Sequence, residues 1–293
     1  MTGSAGGDRL WIVGPGRVGL SLGLLLHRAG AALVYSGRKP HPPDHPLFAD
    51  PNPIAQYLPD LFAVPPDLTG VLITVPDGAV AKVAAQLAET GLPAGVPVLH
   101  ASGMLGHEAL APLAERGHPT GSVHPLAAVA DPVHGAERLR GATFGVEGEG
   151  AALALAERIV SACGGRAFHV QPGEKPLYHA AAVVAANYTV VLLALAERLM
   201  ARAGVPAEEA RAALASLAAG AVANVAERGP AAALTGPAAR GDAVTVGWHL
   251  ARLSAEERPL YSLLGREAVA IAEAAGLAPH KAARVRELLG GDG

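Results

Sequence analysis

A glycine pattern near the start of the chain constrains the fold more than any other feature. The apolar run Leu10-Trp11-Ile12-Val13 leads into a Gly-x-Gly-x-x-Gly segment, and a leucine-rich stretch follows. A strand, this glycine turn and a helix in that order bind the pyrophosphate of a dinucleotide. The glycines allow a tight turn and close approach of the backbone, and the helix N-terminus attracts an anion. The sequence therefore predicts a dinucleotide site at Gly14, Pro15, Gly16, Arg17, Val18 and Gly19.

The rest of the first half predicts a parallel sheet. Near-continuous apolar runs such as Val71–Val75 are typical of strands that helices cover on both faces. We expect an α/β fold with a Rossmann-type doubly wound parallel sheet in residues 1–170. Ligands of such sheets bind at the carboxyl ends of the strands, so the backbone at Val75 and Pro76 should line the cofactor crevice.

Beyond Gln171-Pro172-Gly173 the composition changes to long helices rich in Ala, Leu, Val, Glu and Arg. We expect residues 171–293 to form an all-helical domain that serves substrate binding and dimerisation. The longest apolar run, Ala180 to Ala196, is interrupted by Asn187 and Thr189. It is shorter than the roughly 20 apolar residues of a membrane span, so we expect a buried helix of a bundle.

The residues after the second predicted strand indicate which nicotinamide cofactor is used. A site for NAD normally has an acidic residue here for the ribose 2′-hydroxyl, whereas this chain has Ser36-Gly37-Arg38-Lys39. A guanidinium binds the 2′-phosphate that a carboxylate would repel. Ser36 and Arg38 therefore favour NADP, with NAD as the second choice. The alternative is that the cations are solvated loop charges.

Bulk composition excludes several classes of partner. The net charge is −3 and charged residues make up 17% of the chain, so no nucleic-acid partner is expected. The single cysteine, Cys163, fits a buried apolar role in a reducing compartment. The residues Met1 to Gly7 lack a leader-like apolar core, so we expect a disordered tail, a cytoplasmic location and no membrane partner. His41 and His45 lie among prolines that prevent a helix, and no metal site is predicted.

Two residues at strand ends are candidates for substrate contact. Ser102 follows the strand that ends at His100, and it either contacts substrate or caps the next helix. His124 ends another short strand in Ser122-Val123-His124-Pro125-Leu126. A histidine there can hydrogen-bond a carbonyl or carry a proton near neutral pH, and a buried histidine satisfied by backbone is the alternative.

The helical half supplies three more candidates. His179 and Asn187 are eight residues apart, about 80° around a helix, and both can face one side. Polar groups in so apolar a helix need a hydrogen-bonding partner, either a ligand or another helix. Arg240 lies in Thr235-Gly236-Pro237-Ala238-Ala239-Arg240-Gly241-Asp242, where Asp242 fits a helix N-cap. Arg240 has no evident structural use, and we assign it to an anionic substrate or the cofactor phosphate.

The layout resembles the superfamily of β-hydroxyacid and 6-phosphogluconate dehydrogenases. It is most similar to bacterial Rossmann-like oxidoreductases with a C-terminal helical domain of unknown function. The resemblance rests on four stretches: Gly14 to Gly19, His100-Ala101-Ser102-Gly103, Tyr178-His179-Ala180 through Asn187-Tyr188, and Leu234 through Asp242. It implies a nicotinamide-binding domain followed by a helical domain, and the reduction of small oxo acids, in some members as an alternative ketopantoate reductase.

Two details bear on the proton donor. His124-Pro125-Leu126 resembles the His-Pro-Met element of prephenate dehydrogenases, whose histidine contacts the substrate hydroxyl. The superfamily often carries a catalytic lysine and an asparagine four residues later. Here Lys175 is followed by His179, and Asn187 is preceded by Val183, so that pair is absent. His124 or His179 would then supply the proton.

These observations predict an NADP-dependent oxidoreductase that transfers a hydride between nicotinamide and a small 2-oxo or 2-hydroxy acid. Ser102 and Asn187 would orient the substrate, and Arg240 would bind its carboxylate. One alternative is a dehydrogenase of the prephenate or arogenate type. The other is a non-catalytic protein that binds NADPH and regulates a partner. We also expect a homodimer, because the helical half is so rich in Ala and Leu.

Overall fold

An eight-stranded sheet forms the first half of the protein. The computed structural model describes residues 7–49 and 51–290, so most of the predicted N-terminal tail lies outside the described residues. The strand order is β3-β2-β1-β4-β5-β6-β7-β8, and all neighbours are parallel except β6 and β7. The strands are β1 Arg9–Val13, β2 Ala32–Ser36, β3 Gln56–Leu58, β4 Gly70–Ile73, β5 Val98–His100, β6 Thr120–Pro125, β7 Thr143–Gly148 and β8 Arg166–His169.

The order of the first six strands is that of a doubly wound dinucleotide-binding sheet. The chain winds outward from β1 to β3 on one side and from β4 to β6 on the other, so a crevice opens between β1 and β4. The α/β prediction is confirmed. The sequence missed β3, because three half-exposed residues in a proline-rich segment carry almost no strand pattern.

Helices cover both faces of the sheet. Leu10 and Ile12 of β1 pack into the core on one face, and Trp11 and Val13 pack into the core on the other. This alternation explains why the strand is apolar throughout. The helices of this half are α1 Arg17–Arg28, α2 Asp77–Ala88, α3 Ala111–Ala114, α4 Gly135–Leu139 and α5 Gly150–Ala162, with 3-10 turns at Pro46–Phe48 and His107–Leu110.

The second half is helical, as predicted. Its elements are α6 Lys175–Val183, a π-helical turn Val184–Tyr188, α7 Thr189–Arg202, α8 Ala207–Ala233, α9 Pro237–Arg240, α10 Ala243–Arg252, α11 Arg258–Ala274 and α12 Pro279–Leu288. The α8 helix is broken at Gly229, whose φ of 74° is not helical. Asp242 caps α10 by accepting from the amide of Thr245 at 3.1 Å. The chain divides into two compact units, and the division falls between Thr189 and Val190. The predicted boundary after residue 170, which follows composition, stays a prediction.

One helical run is long and apolar enough to cross a membrane, by length and composition. It spans Lys175–Arg202 with a mean hydropathy of 1.8 in its most apolar window. The expectation that Ala180 to Ala196 is buried is wrong for the single chain, because none of that window is buried. The helix forms where the pattern places it, but the described part of the chain does not bury residues 180–196.

Candidate active site

The glycine loop after β1 is closely packed against the end of β4. Gly14 has a φ of 108°, and a Cβ there would lie 2.8 Å from Cγ1 of Val75. A Cβ on Gly19 would lie 2.4 Å from Oγ1 of Thr74. The same Thr74 hydroxyl donates to the carbonyl oxygen of Gly14 at 2.6 Å. The loop therefore has the tight turn and the close helix packing that the glycine pattern requires.

The first turn of α1 is open toward the crevice. Gly16 is the N-cap and provides no side-chain cap. A Cβ on Gly16 would meet one atom within 4 Å, the carbonyl oxygen of Thr74 at 3.8 Å. The amide groups of the first helical turn lack intrahelical partners, and the helix dipole favours an anion beside them. This cradle fits a pyrophosphate, and Arg17 and Val18 supply amides that would hold it.

Ser36 and Arg38, the two residues that favour NADP, have different surroundings at the end of β2. Ser36 is fully buried, and its hydroxyl accepts from the indole of Trp11 at 2.9 Å and donates to the Asp60 carbonyl at 2.8 Å. Its side chain thus has a structural use. Arg38 is exposed in the loop that follows. Of this pair, Arg38 is the side chain free to meet a 2′-phosphate.

A second group of polar side chains lies where α6 packs on β6, β7 and β8. His124, Gly145 and Phe168 are register partners on these strands. Because Gly145 has no side chain, the ring of Tyr178 occupies the space above it, with Cζ and Oη both 2.8 Å from where a Cβ would lie. The ring contacts His124 and Phe168 edge to face, at centroid distances of 5.6 and 5.7 Å.

Two imidazole rings meet beside the loop that follows β5. Nδ1 of His124 is hydrogen-bonded to the phenol oxygen of Tyr178 at 2.7 Å. A Cβ on Gly103 would lie 2.8 Å from both Nε2 of His124 and Nδ1 of His179. The His179 Nδ1 atom is buried without a hydrogen-bonding partner among the described residues. A buried polar atom normally has a partner, so this atom is a candidate contact for a ligand.

Burial and charge determine the protonation of this group. Burial, and then the electrostatic influence of Lys175 and His179, lower the pKa of His124 to about 4. Burial raises the pKa of the Tyr178 phenol to about 12. At neutral pH His124 is an uncharged imidazole and Tyr178 an uncharged phenol. His124 therefore acts through hydrogen bonds, and an imidazolium would be a minor species.

Lys175 is the cation of the site. It is 1% exposed, and its Nζ donates to the carbonyl of Ser102 at 3.0 Å and to Oγ of Ser122 at 3.1 Å. Nζ also lies 5.5 Å from the centroid of the Tyr178 ring. Burial lowers the pKa of the ammonium to about 8, with Glu147, Asp77 and Glu108 acting in the opposite direction. Lys175 thus brings a positive charge to the Tyr178 and His124 pair.

The other predicted residues have different surroundings. The Ser102 hydroxyl accepts from the amides of Met104 and Leu105 at 3.2 and 3.0 Å, so it caps the turn. Asn187 is exposed within the π-helical turn. The 80° angle between His179 and Asn187 assumes a regular α-helix, and the π turn changes the helical phase, so their shared side stays a prediction. Arg240 is exposed in the second unit. The structure thus brings together His124 and His179, with Ser102 beside them, and the roles of all five stay predictions.

One group of side chains has the spacing that a metal ion needs. His107, Glu108 and Glu147 each offer an atom within 4.8 Å of the others. However, Nδ1 of His107 contacts Oε1 of Glu147 directly at 2.6 Å. The Lys175 ammonium adds a positive charge that acts on the same carboxylate. We therefore describe His107 and Glu147 as a hydrogen-bonded pair.

Sequence reasoning missed Lys175, Tyr178 and Thr74. Lys175 lacks the asparagine four residues later that marks such a lysine in sequence, although it begins the helix that carries His179. The signal for Tyr178 was Gly145, a glycine in the middle of an apolar strand. Such a glycine often marks a site of close approach.

Comparisons with known proteins agree with this architecture. Residues 7–125 match the family model of a Rossmann-like domain. Residues 142–268 match the model of a domain of unknown function, DUF2520. No curated protein sequence matches the chain.

Solved structures share the fold over almost the whole chain. A Bacteroides fragilis protein to which an NADP oxidoreductase function has been attributed aligns with a TM-score of 0.66 at 21% identity, covering 92% of this chain and 100% of that one. Protein TM1727 of Thermotoga maritima aligns with a TM-score of 0.62 at 22% identity, covering 96% and 98%. Pyrroline carboxylate reductase of Plasmodium falciparum, solved with NADP bound, aligns with a TM-score of 0.60 at 12% identity, covering 97% and 99%. At these identities the likeness shows the fold.

Proposed function

We propose that the protein is an NADP-dependent oxidoreductase that reduces the carbonyl group of a small 2-oxo acid or oxidises the matching 2-hydroxy acid. The observation that carries the proposal is the pair of imidazoles at Gly103, in which His179 of α6 has a buried nitrogen without a partner among the described residues. The other imidazole, His124, is on β6 of the sheet that bears the pyrophosphate cradle. β6 is three strand positions from β1, about 14 Å at the usual strand spacing. A dinucleotide lies across the same sheet edge.

The cofactor assignment has two supports. The cradle at Gly14, Gly16 and Gly19 fits a pyrophosphate, and Arg38 offers a guanidinium where NAD sites carry an acid. Of the solved structures with this fold, one has an attributed NADP oxidoreductase function and another is a pyrroline carboxylate reductase with NADP bound. When bound, NADPH supplies the hydride, and the protein supplies position and charge.

The residues of the site suit a reaction in which negative charge develops on a carbonyl oxygen. His124, accepting a hydrogen bond from the Tyr178 phenol at Nδ1, presents an N–H at Nε2 toward Gly103. This N–H donates to the substrate oxygen and passes its proton to it as the alkoxide forms. In the same step the Tyr178 proton moves to Nδ1 of His124, so that the imidazole stays neutral, and the Lys175 ammonium stabilises the phenolate. His179 positions the substrate through Nδ1.

The proposed substrate is a small anionic acid. Arg240 is the candidate for binding its carboxylate, and Asn187 is the candidate for orienting it. A 2-oxo acid fits the uncharged donor His124, because a carbonyl oxygen needs a hydrogen bond that strengthens as charge develops. The ketopantoate-like substrate that the sequence suggested is one member of this class.

We also propose that the protein acts as a homodimer in the cytoplasm. The apolar window of Lys175–Arg202 is unburied in the single chain, and large side chains of the second unit are exposed, among them Trp248 at 70% and Leu217 at 72%. Apolar surface of this extent is favourable to bury against a second copy. Light scattering that shows a monomer would exclude the dimer.

The test of the function is a titration followed by a turnover assay. NADPH should bind with a change in its fluorescence, and NADPH should be consumed with at least one member of a panel of 2-oxo acids. Cyclic imino acids serve as a comparison panel. Single replacement of His124 or His179 by Asn should lower turnover and leave NADPH affinity unchanged. Tight binding without turnover on either panel would favour an NADPH-sensing protein over an enzyme.

A further inference from the structure

A row of polar side chains crosses three neighbouring strands beneath α6. His100 of β5, Ser122 of β6 and Glu147 of β7 are register partners. Partners on adjacent strands project from the same face of a sheet, close enough for their side chains to interact. Because Ser122 accepts a hydrogen bond from Lys175, this is the face on which the Lys175 ammonium lies.

His100 carries no positive charge into this row. Its Nδ1 accepts from the amide of Ser102 at 3.2 Å, so Nε2 holds the proton and donates to the Gly106 carbonyl at 2.9 Å. Burial also lowers the pKa of His100. The imidazole is thus a neutral, fully bonded part of the floor of the site.

Glu147 is the unexplained member of the row. Its side chain is 3% exposed, and Oε1 is hydrogen-bonded to Nδ1 of His107 at 2.6 Å. Oε2 is buried without a hydrogen-bonding partner among the described residues. Burial of a carboxylate with an unused oxygen is unfavourable unless a nearby cation compensates.

Three carboxylates act on Lys175, and they differ in burial. Asp77 at the start of α2 and Glu108 in the 3-10 turn are exposed, whereas Glu147 is buried. Water screens the interactions of exposed charges, and buried charges interact more strongly. Among the other titratable groups around Lys175, His100 and His124 have lowered pKa values and Tyr178 has a raised one, so these three are uncharged at neutral pH. His179 lies one helical turn after Lys175 on α6.

We propose that Glu147 is a positioning residue: its carboxylate, held by His107, is the buried counter-charge that keeps the Lys175 ammonium charged and oriented between Ser102 and Ser122. This inference rests on the proposed function, in which that ammonium stabilises charge on Tyr178. The side chain of His107 is 46% exposed, so the buried pair of Glu147 and Lys175 meets solvent at His107.

The first test measures the charge of Lys175 without any turnover. The chain contains four lysines, so labelling with ¹³C at Cε gives a simple NMR spectrum, and the Lys175→Arg variant assigns the signal. In Glu147→Gln, the proton affinity of Lys175 should fall by about tenfold or more, since an opposite charge is lost. In Glu108→Gln, the matched exposed control, the fall should be much smaller. Equal titration of Lys175 in wild type and Glu147→Gln would overturn the proposal.

The second test links the ion pair to turnover. The basic limb of the pH profile of kcat/KM should move to lower pH in Glu147→Gln by the same factor that NMR shows for Lys175. A lower rate with an unmoved pH profile would assign Glu147 a merely structural role. If Glu147→Gln fails to fold, His107→Gln provides the same readouts with a smaller effect, because it loosens the carboxylate without removing it. The NMR result stands even if no substrate is turned over, so failure of this inference and failure of the proposed function are distinguishable.

Discussion

The phenol oxygen of Tyr178 lies 2.7 Å from Nδ1 of His124, and the same tyrosine ring fills the space that Gly145 leaves open on the neighbouring strand. The pair therefore depends on three elements, β6, β7 and α6. Lys175 precedes Tyr178 by three residues on α6, so both side chains lie on one face of the helix. This face contacts two successive rows of the sheet, with Lys175 on the row of Ser122 and Tyr178 on the row of His124.

Replacing Gly145 by Ala should displace the Tyr178 ring. A Cβ would lie 2.8 Å from Cζ and Oη, so we expect destabilisation of about 1–3 kcal/mol and a turnover at least tenfold lower. Urea unfolding and steady-state kinetics measure the two effects. Gly220→Ala is the matched control, because a Cβ there meets no atom within 4 Å. It should leave turnover unchanged and slightly stabilise α8.

Tyr178→Phe should keep the ring and lose the proton donor. We expect kcat to fall by about 10²-fold with NADPH affinity unchanged, since the hydrogen bond to His124 is lost. Tyr261→Phe is a matched control, because the Tyr261 hydroxyl is also 2.7 Å from a histidine Nδ1, that of His249. Equal kcat losses in the two variants would contradict a specific role for Tyr178.

Lys175 should give the protein a characteristic dependence of stability on pH. Its pKa of about 8 in the folded state lies below the ordinary 10.5, so between these values the unfolded chain binds more protons than the native one. The free energy of unfolding should rise with pH across this window, by about 3 kcal/mol in the limit. In Lys175→Met that contribution should be absent. Urea unfolding measures the free energy of unfolding of the two proteins from about pH 7.5 to 10. If it changes with pH in parallel in both proteins, the prediction for Lys175 is wrong.

Arg38→Ala should weaken NADPH binding and leave NADH binding nearly unchanged. Loss of a guanidinium facing a 2′-phosphate costs about tenfold or more in affinity, while NADH has no such phosphate. Fluorescence titration with both cofactors measures the change in preference. Lys82→Ala, which removes an exposed cation from α2, is the control and should alter neither affinity. A similar loss for both cofactors in Arg38→Ala would show that Arg38 does not contact the 2′-phosphate.

Charged residues at exposed apolar positions of the second unit should weaken the proposed dimer. Trp248→Arg and Leu217→Glu each introduce a charged side chain at a position that is exposed in the single chain. Burial of an unpaired charge is unfavourable, so the molar mass by light scattering should shift toward the monomer. Arg116→Ala in the first unit should not change it. Unchanged dimers in both apolar variants would place the interface elsewhere.

Most of the architecture could be predicted from the sequence because its signals are local. These signals depend on neighbouring residues: the glycine pattern after β1, the apolar strands, and the prolines and glycines at the turns. The structure contains the elements that they predict. Short elements such as β3 and the π turn depend on tertiary contacts, and the pattern did not indicate them. The antiparallel direction of β7 could not be predicted either, since an apolar strand has the same composition in either direction.

The site was harder to predict than the fold, since its members are distant in sequence. The chemistry of histidine makes His124 and His179 candidates in the sequence, and in the structure their ring centroids are 6.2 Å apart. Lys175 lacks its usual neighbour in sequence, yet the structure places its ammonium beside Ser102, Ser122 and the Tyr178 ring. No local pattern shows that a lysine will be buried between Ser102 and Ser122, because the three lie on separate elements.

The open space at Gly145 has a consequence for the recognition of related sites. A search for reactive side chains would select His124, Tyr178 and Lys175 and ignore a residue that has no functional group. Yet the histidine and the tyrosine can meet only if the position between them stays empty. In a comparison of related chains, a larger residue at this position would therefore identify a protein that keeps the reactive groups but has lost their alignment.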